Sequence, residues 1–297
     1  MTRNLIQTLA RPVAGLRDLA SSYDLILCDV WGVVHDGVTH TPSAAEALMR
    51  YRAGGGKVIL LTNAPRPHPP VIEMLDDFGL PRAAYDAVVS SGDVTLDLMV
   101  ARGPRPVFHL GPARDHSLFD DAAPRLGAPV ARVDVASADY VVCTGLFNDD
   151  ERPESYEPVL RAMRARNLPM ICANPDIVVH SGDRLIWCAG ALADMYVKIG
   201  GDVAQAGKPY AIIYEAALKV ATRLSGGRSP RAVLAIGDGM FTDMRGAAQQ
   251  NFDGLFISGG IHRDALHGPK GLDAEAYRAL ATEAGAQPVA QLVALTW

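Results

Sequence analysis

The stretch YDLILCDVWGV, residues 23–33, decides the fold class of this chain. Residues 25–28 are apolar and lead to the carboxylate of Asp29, which predicts a buried strand with an acidic residue at its carboxyl end. Residues 57–62, KVILLT, form a second aliphatic run without polar alternation, as expected of a parallel strand covered on both faces. Between the two, Thr41 and Pro42 are residue types that begin a helix. Strand, helix and strand in this order predict an α/β fold.

The remaining sequence continues this alternation of strands and helices. We predict further strands at residues 87–90, 106–110, 140–144, 169–173, 231–236 and 254–257. We predict the longer helices at residues 153–167, 209–224 and 243–250. Residues 1–20 carry three arginines among scattered apolar residues, which predicts an amphipathic helix at the start of the chain.

The composition limits the class of protein. The chain has 297 residues, of which 49% are hydrophobic and 21% charged, as is typical of a soluble globular protein. Its net charge of -5 provides no broad attraction to nucleic acid or to an anionic membrane. The four cysteines form no C-x-x-C pair, which favours free thiols in a reducing compartment. Because no apolar run reaches about 18 residues and no secretory signal is evident, we predict a cytoplasmic protein.

Four polar motifs stand where predicted strands end or predicted helices begin. They are Asp29, the pair Thr62-Asn63, the triplet Gly-Lys-Pro at 207–209, and GDGMFTD at 237–243. In open α/β sheets, ligands bind beyond the carboxyl ends of the strands. We therefore expect the four motifs to contribute to one site.

Together the motifs resemble those of the haloacid dehalogenase superfamily, and they follow one another in its order. Residues 60–63, 173–176 and 207–209 are similar to its class IIA branch, the sugar-phosphatase, nitrophenylphosphatase and pyridoxal-phosphatase-like proteins. The resemblance implies an α/β fold with a three-layer Rossmann-like core, a parallel sheet, and an inserted α/β cap of the C2 type. We expect the core at residues 1–104 and 202–297 and the cap at residues 105–201.

The resemblance also implies a nucleophile and a Mg²⁺ site. Asp29 is expected to attack phosphorus and form an aspartyl-phosphate, while its other carboxylate oxygen binds Mg²⁺. Asp238 and the backbone carbonyl of Trp31 are expected to complete the protein ligands, because oxygen ligands suit this hard cation. Asp243 is expected to hold a metal-bound water or to orient Lys208.

The phosphate group is expected to be bound by Thr62 and Lys208. The Thr62 hydroxyl would contact phosphoryl oxygens, and Lys208 would neutralise both the phosphate and the nucleophile as a point charge. Asn63 is expected to contact the substrate. Three cap residues are also expected to bind the substrate: Asn174, Asp176 and His180. His180 suits an aromatic, pyridoxal-type phosphate, and sugar phosphates fit the branch equally.

The sequence departs from the family pattern at one position. Most phosphatases of this superfamily carry a second Asp two residues after the nucleophile, where this chain has Trp31. Indole transfers no proton at neutral pH, and loss of general acid–base help lowers rates by about 10²–10⁴-fold. Three explanations follow: His35 or Asp36 replaces the missing acid, the substrate has a good leaving group, or the protein binds a phosphorylated metabolite with little or no turnover.

A third activity is phosphonate cleavage. Phosphonate-cleaving members of the superfamily also lack the second Asp and use a cap lysine as a Schiff base, and Lys198 lies in the late cap of this chain. The phosphatase hypothesis predicts a small phosphorylated metabolite as ligand and Mg²⁺ as cofactor, with no nucleic-acid or membrane partner. A homodimer is compatible with the sequence.

Overall fold

The chain forms two compact units, each with its own parallel sheet. The computed structural model describes residues 8–181, 184–269 and 271–297. The core unit comprises the residues up to Thr62 together with Ile72–Val89 and Tyr214–Trp297, and the inserted unit comprises Asn63–Val71 and Ser90–Ile213. The division into domains at residues 104 and 202 stays a prediction.

Short strands account for both sheets. In chain order the strands are β1 (Arg11–Pro12), β2 (Leu25–Cys28), β3 (Lys57–Thr62), β4 (Ala87–Ser90), β5 (Val107–Leu110), β6 (Tyr140–Cys143), β7 (Met170–Cys172), β8 (Val178–Ser181), β9 (Arg184–Trp187), β10 (Val203–Gln205), β11 (Val233–Gly237), β12 (Asp253–Ile257), β13 (His267–Gly268), β14 (Gly271–Leu272) and β15 (Ala290–Leu292).

Helices alternate with these strands. They are α1 (Pro42–Ala53), α2 (His68–Asp77), α3 (Ser91–Arg102), α4 (Ser117–Leu126), α5 (Glu157–Ala165), α6 (Ala189–Lys198), α7 (Ala211–Leu224), α8 (Arg245–Gln250), α9 (Arg263–Leu266) and α10 (Ala274–Ala284). Turns of 3₁₀ helix occur at Leu16–Asp18, Ala20–Ser22, Arg82–Ala84, Ala113–Asp115 and Pro153–Tyr156, and a π-helical turn occurs at Met240–Met244. Within the described ranges, no helix combines the length and the apolar character needed to cross a bilayer.

The core unit is built on a seven-stranded sheet with the strand order β1-β15-β12-β11-β2-β3-β4. The pairings of β2 with β3 and β11, of β12 with β11 and β15, and of β15 with β1 are parallel. The chain runs outward from β2 through β3 and β4, and it later returns on the other side of β2 as β11. This reversal of strand order creates the topological switch point at which α/β proteins bind ligands.

The central strands are aliphatic because both of their faces are buried. Every residue of β2 and β11 is buried, and so is every residue of β3 except the first. Asp29 follows β2 directly, Thr62 is the last residue of β3, and Asp238 follows β11. Because these three strands are neighbours in the sheet, polar groups from distant parts of the sequence lie at one edge.

The inserted unit contains a four-stranded parallel sheet with the order β10-β7-β6-β5 and a separate antiparallel hairpin of β8 and β9. Helices α5 and α6 contribute Leu160, Met163, Leu192 and Tyr196 to its apolar core. The buried Tyr196 hydroxyl donates a 2.7 Å hydrogen bond to the carbonyl of Leu168. A parallel-sheet core and a second α/β unit confirm the predicted α/β fold class.

Over residues 8–20, the predicted N-terminal helix is wrong. Among residues 8–20, Arg11 and Pro12 form the edge strand β1, which pairs with β15. Leu16 is fully buried, and its N–H donates to the carbonyl of Thr296 at 2.7 Å. Residues 11 and 12 are extended because β15, their partner strand, lies at the far end of the chain, which a local pattern of apolar residues does not reveal.

Candidate active site

Three carboxylates meet at the carboxyl ends of adjacent core strands. Asp29 follows β2, Asp238 follows β11, and Asp243 lies in the π-helical turn after β11. Each offers one carboxylate oxygen, and these oxygens all lie within 4.8 Å of one another. All three side chains are buried, so water screens their mutual repulsion poorly and a cation among them would relieve it. The structure thus brings together the three acidic residues singled out from the sequence.

The donor atoms of this cluster fit Mg²⁺. The cation takes hard oxygen ligands in near-octahedral geometry and retains waters alongside one or two carboxylates. The cluster supplies carboxylate oxygens from Asp29, Asp238 and Asp243, with neither sulfur nor imidazole nitrogen in the set. The carbonyl of Trp31 as a further ligand stays a prediction.

Two glycines lie directly against the Asp238 side chain. A Cβ at Gly32 or at Gly260 would lie 2.0 Å from Asp238 Oδ2, so neither position leaves room for a side chain. Gly32 also has a φ of +81°, a conformation that residues with a Cβ seldom adopt. The N–H of Ile261 donates to Asp238 Oδ2 at 2.7 Å. Two loops therefore fix the orientation of this carboxylate.

Asp243 holds the loop that carries Asp238. Gly239 N–H donates to Asp243 Oδ2 at 3.0 Å, and Asp243 N–H donates to the carbonyl of Gly239 at 2.9 Å. A Cβ at Gly237 would lie 2.1 Å from the carboxyl carbon of Asp243. Residues 237–243 therefore form a closed turn around the Asp243 carboxylate, and glycine occupies the positions where this carboxylate contacts the backbone.

His262 belongs to the same site and was not singled out from the sequence. Its Nε2 accepts a 3.2 Å hydrogen bond from the N–H of Met240. Burial, partly offset by Asp243, lowers the pKa of the imidazole, and a neutral ring with Nε2 as acceptor fits this bond. The signal that could have found it is the pair Gly259-Gly260 shortly after β12, the strand next to β11.

Trp31, in the place of the family's second Asp, belongs to an aromatic cluster of the core unit. Its ring centroid lies 5.0 Å from that of His35, which in turn lies 5.1 Å from that of Phe78, and both contacts are edge-to-face. A Cβ at Gly37 would lie 2.8 Å from Trp31 Cζ2. Trp31 is therefore a packing residue that shapes the loop of residues 31–40, and its indole provides no acid.

Both candidate substitutes for the missing acid are engaged within this loop. His35 is 1% exposed, its Nδ1 accepts the N–H of Gly37 at 2.9 Å, and burial lowers its pKa to about 4. The Asp36 carboxylate accepts the N–H groups of Thr39 and Val38, each at 2.9 Å, and these bonds lower the pKa of Asp36. At neutral pH the imidazole is therefore neutral and buried and the carboxylate is ionised, so neither group is set up to donate a proton.

In the inserted unit, Asn63 links two other predicted site residues. Its Oδ1 accepts the N–H of Lys208 at 2.7 Å, and its Nδ2 donates to Asp176 Oδ1 at 2.9 Å and to the Lys208 carbonyl at 3.2 Å. A Cβ at Gly207 would lie 2.3 Å from Asn63 Oδ1, which explains the glycine before Lys208. Because the amide is used within the protein, the geometry favours a positioning role for Asn63 over the predicted substrate contact.

The remaining predicted residues have local structural roles or lie outside the described part. Asn174 Oδ1 accepts the N–H of Asp176 at 3.1 Å and closes a turn after β7. Thr62 is buried at the end of β3 in the core unit. His180 belongs to β8, and its side chain lies outside the described residues. Substrate contacts by these residues stay predictions.

Comparisons with known proteins agree with this geometry. A family model described as haloacid dehalogenase-like hydrolase matches residues 26–123, and a second, described as HAD-hydrolase-like, matches residues 205–287. The solved structure of a hydrolase of the haloacid dehalogenase-like family from Brucella suis is 47% identical, with a TM-score of 0.82, and the match covers 97% of this chain and 100% of that one. The chain therefore belongs to the haloacid dehalogenase-like hydrolase family.

More distant structures share the fold. A possible sugar phosphatase from Cytophaga hutchinsonii is 19% identical with a TM-score of 0.73, over 96% of this chain and 98% of that one. A glycerol phosphate phosphatase from Mycobacterium tuberculosis, in complex with magnesium, is 23% identical with a TM-score of 0.61, over 87% of this chain and 77% of that one. No curated protein matches the chain. The family models and the Brucella suis structure confirm the superfamily that the motifs resemble.

Proposed function

We propose that this chain is a Mg²⁺-dependent phosphatase that hydrolyses a small phosphorylated metabolite through an aspartyl-phosphate on Asp29. The proposal rests on the cluster of Asp29, Asp238 and Asp243, whose carboxylate oxygens lie within 4.8 Å of one another. Membership of the hydrolase family supports the reaction class, and two neighbours are named as phosphatases, one of them with magnesium. Sugar phosphates and pyridoxal-type phosphates are the proposed substrate classes.

Each residue has a defined task in this reaction. Asp29, Asp238 and the Trp31 carbonyl would hold Mg²⁺, which would supply positive charge to the phosphoryl oxygens. The Asp29 carboxylate attacks phosphorus, and the bond from phosphorus to the leaving oxygen breaks as the aspartyl-phosphate forms. Thr62 donates its hydroxyl to a phosphoryl oxygen, and Lys208 neutralises the charge of the phosphoryl group. Water then releases phosphate and restores the Asp29 carboxylate.

The packing of Trp31 indicates which substrates turn over best. The indole packs on His35 and Gly37, and the titratable groups of His35 and Asp36 are engaged in the same loop. Because neither His35 nor Asp36 is set up to protonate a leaving oxygen, we infer that acyl phosphates and phenol-like phosphates react fastest. The same observation favours the second candidate function, a phosphometabolite-binding protein with little or no turnover.

The phosphonate-cleaving alternative ranks third. Its lysine, Lys198, is the last residue of α6 and is exposed. A Schiff-base lysine is activated by desolvation or by a neighbouring cation, and an exposed helix end provides no desolvation.

Phosphate release tests the proposed function. Wild type, Asp29→Asn and Asp36→Asn are incubated with Mg²⁺ and a panel of sugar phosphates, pyridoxal phosphate and p-nitrophenyl phosphate. Asp36→Asn is the matched control, because an amide oxygen can still accept the two N–H groups that Asp36 Oδ1 accepts. We expect release by wild type and Asp36→Asn and none by Asp29→Asn. If metabolites bind with Mg²⁺ but none is hydrolysed, the binding function replaces the phosphatase.

A further inference from the structure

An arginine and an aspartate form a pair in the inserted unit, apart from the residues assigned above. Arg66 lies on the loop between β3 and α2, and Asp115 ends the 3₁₀ turn that follows β5. Arg66 Nε lies 3.3 Å from Asp115 Oδ1, and the two side chains are 38% and 3% exposed, respectively. No donor in the described ranges makes an aligned hydrogen bond to Asp115 Oδ1. A buried anion thus faces a partly exposed cation.

Two further polar side chains, those of Thr144 and His109, lie near Asp115. Burial raises the pKa of Asp115 while Arg66 and Thr144 both lower it, and His109 Nε2 lies 2.9 Å from Thr144 Oγ1. Burial lowers the pKa of His109 to about 4, so the ring is neutral and its Nε2–H can donate to Thr144 Oγ1. A Cβ at Gly111 would lie 2.0 Å from Thr144 Oγ1, so glycine keeps this space for the hydroxyl.

The pair of Arg66 and Asp115 orients the guanidinium and contributes less to the stability of the fold. Burial raises the pKa of Asp115 against the opposing effects of Arg66 and Thr144, and buried ion pairs often stabilise no better than apolar residues of the same volume. The Asp115 carboxylate lies next to Nε of Arg66 and does not engage the two Nη groups. These groups belong to the planar fork with which arginine binds carboxylates and phosphates. In the described part of the chain, the Arg66 side chain has no other ion-pair or hydrogen-bond partner.

Within the inserted unit, Arg66 lies on the loop that holds Lys208, the lysine proposed to bind the phosphate. Arg66 comes three residues after Asn63, and three residues of extended chain span at most about 11 Å. Asn63, which bonds to Lys208, lies on the same loop. Asp115 follows β5 at the carboxyl edge of the parallel sheet, the edge at which α/β units bind ligands. A small metabolite whose phosphate is bound by Lys208 can therefore extend its other end toward Arg66.

We propose that Arg66 determines specificity by binding a second anionic group, a carboxylate or a second phosphate, on the phosphorylated substrate. This inference rests on the proposed function and narrows its substrate class to phosphorylated acids and bisphosphates. Arg66 donates two parallel N–H bonds to the anion, and Asp115 is a positioning residue that holds the guanidinium through Nε. A substrate with a neutral polyol tail leaves the fork without a partner.

Calorimetric binding tests the inference without relying on turnover. The Asp29→Asn variant, with Mg²⁺, is titrated with 2-phosphoglycolate, with propanediol bisphosphate and with glycerol 3-phosphate, whose tail is neutral. We expect one or both anionic-tailed compounds to bind at least about 10-fold more tightly than glycerol 3-phosphate, and the stronger of the two identifies the group as carboxylate or phosphate. Adding Arg66→Gln to the Asp29→Asn variant should weaken the binding of that compound by about 10–100-fold. It should weaken the binding of glycerol 3-phosphate by less than about 3-fold.

Two further variants test whether Asp115 orients Arg66 and whether the loss of any arginine charge would weaken binding. Asp115→Asn should weaken the binding of the anionic-tailed compound only, because the Arg66 guanidinium is retained but loses the carboxylate that orients it. Arg125→Gln, which removes an arginine paired with exposed Asp97, is the matched control and should change neither affinity. If urea unfolding shows that Arg66→Gln does not fold, Arg66→Lys takes its place, since it keeps the charge without the fork.

The outcomes distinguish this inference from the proposed function. Equal binding of charged and neutral tails, or a preference that survives Arg66→Gln and Arg66→Lys, would overturn the role of Arg66 and leave the phosphatase intact. Absence of binding for every phosphate compound, together with no phosphate release by wild type, would overturn both.

Discussion

Removing the Asn63 amide is the sharpest perturbation of the inserted unit. Asn63→Ala deletes the 2.7 Å bond from Lys208 N–H, the 3.2 Å bond to the Lys208 carbonyl and the 2.9 Å bond to Asp176 Oδ1. Asn63 is only 4% exposed, so water does not readily replace the amide. A hydrogen bond contributes about 0.5–1.5 kcal/mol net, and a buried group that loses a partner costs about 1–3 kcal/mol. The free energy of unfolding should therefore fall by about 2–4 kcal/mol.

Equilibrium unfolding in urea measures this loss. Asn148→Ala is the matched control, because Asn148 is exposed and its amide bonds to Glu151 at 3.1 Å, so its effect should stay within about 0.5 kcal/mol. Asn63→Ala should also lower kcat, since the backbone of Lys208 is no longer held. If Asn63→Ala unfolds at the wild-type urea midpoint, the three bonds do not hold Lys208 in place and the positioning role is refuted.

Three further changes test other parts of the structure. Trp31→Asp restores the family's second Asp, so kcat for an alkyl phosphate should rise about 10²-fold or more and exceed any rise for p-nitrophenyl phosphate; equal rises would contradict the missing acid. Gly207→Ala places a Cβ 2.3 Å from Asn63 Oδ1 and should lower the unfolding free energy by about 1–3 kcal/mol, whereas Gly268→Ala, with no atom within 4 Å, should be neutral in the same urea assay. Folding lowers the pKa of His35 from 6.5 to about 4, so between these values the unfolded chain binds a proton that the folded chain does not. Stability should therefore fall by about 2 kcal/mol from pH 7 to pH 5, and less in His35→Gln; an unchanged fall would show that His35 does not titrate as a buried group.

The sequence alone predicts the centre of the core unit because its strands are buried on both faces. An unbroken aliphatic run needs no knowledge of its neighbours, and the predicted strand at 57–62 is β3 as observed. The acidic residues at the ends of β2 and β11 follow from the same runs, since parallel strands place their carboxyl ends at one edge. Four short motifs in family order then indicated the metal cluster.

The parts that escaped prediction depend on contacts between distant segments. Strand β1 exists because β15 lies beside it, and no local pattern of residues 1–20 indicates that pairing. His35 looks like a loop histidine in the sequence, yet Trp31 and Phe78 bury it and change its protonation. The pairing of Arg66 with Asp115 likewise requires the three-dimensional course of the inserted unit.

Trapping the covalent intermediate tests the central claim most directly. The protein is quenched with acid during turnover of p-nitrophenyl phosphate with Mg²⁺, and its peptides are analysed by mass spectrometry. Because neither His35 nor Asp36 is set up to activate water, the aspartyl-phosphate should persist long enough to be detected. The prediction is a phosphoryl group on the peptide that contains Asp29, absent after Mg²⁺ chelation and absent in Asp29→Asn. Phosphate release without a phosphorylated peptide, or with the phosphoryl group on another residue, would contradict it.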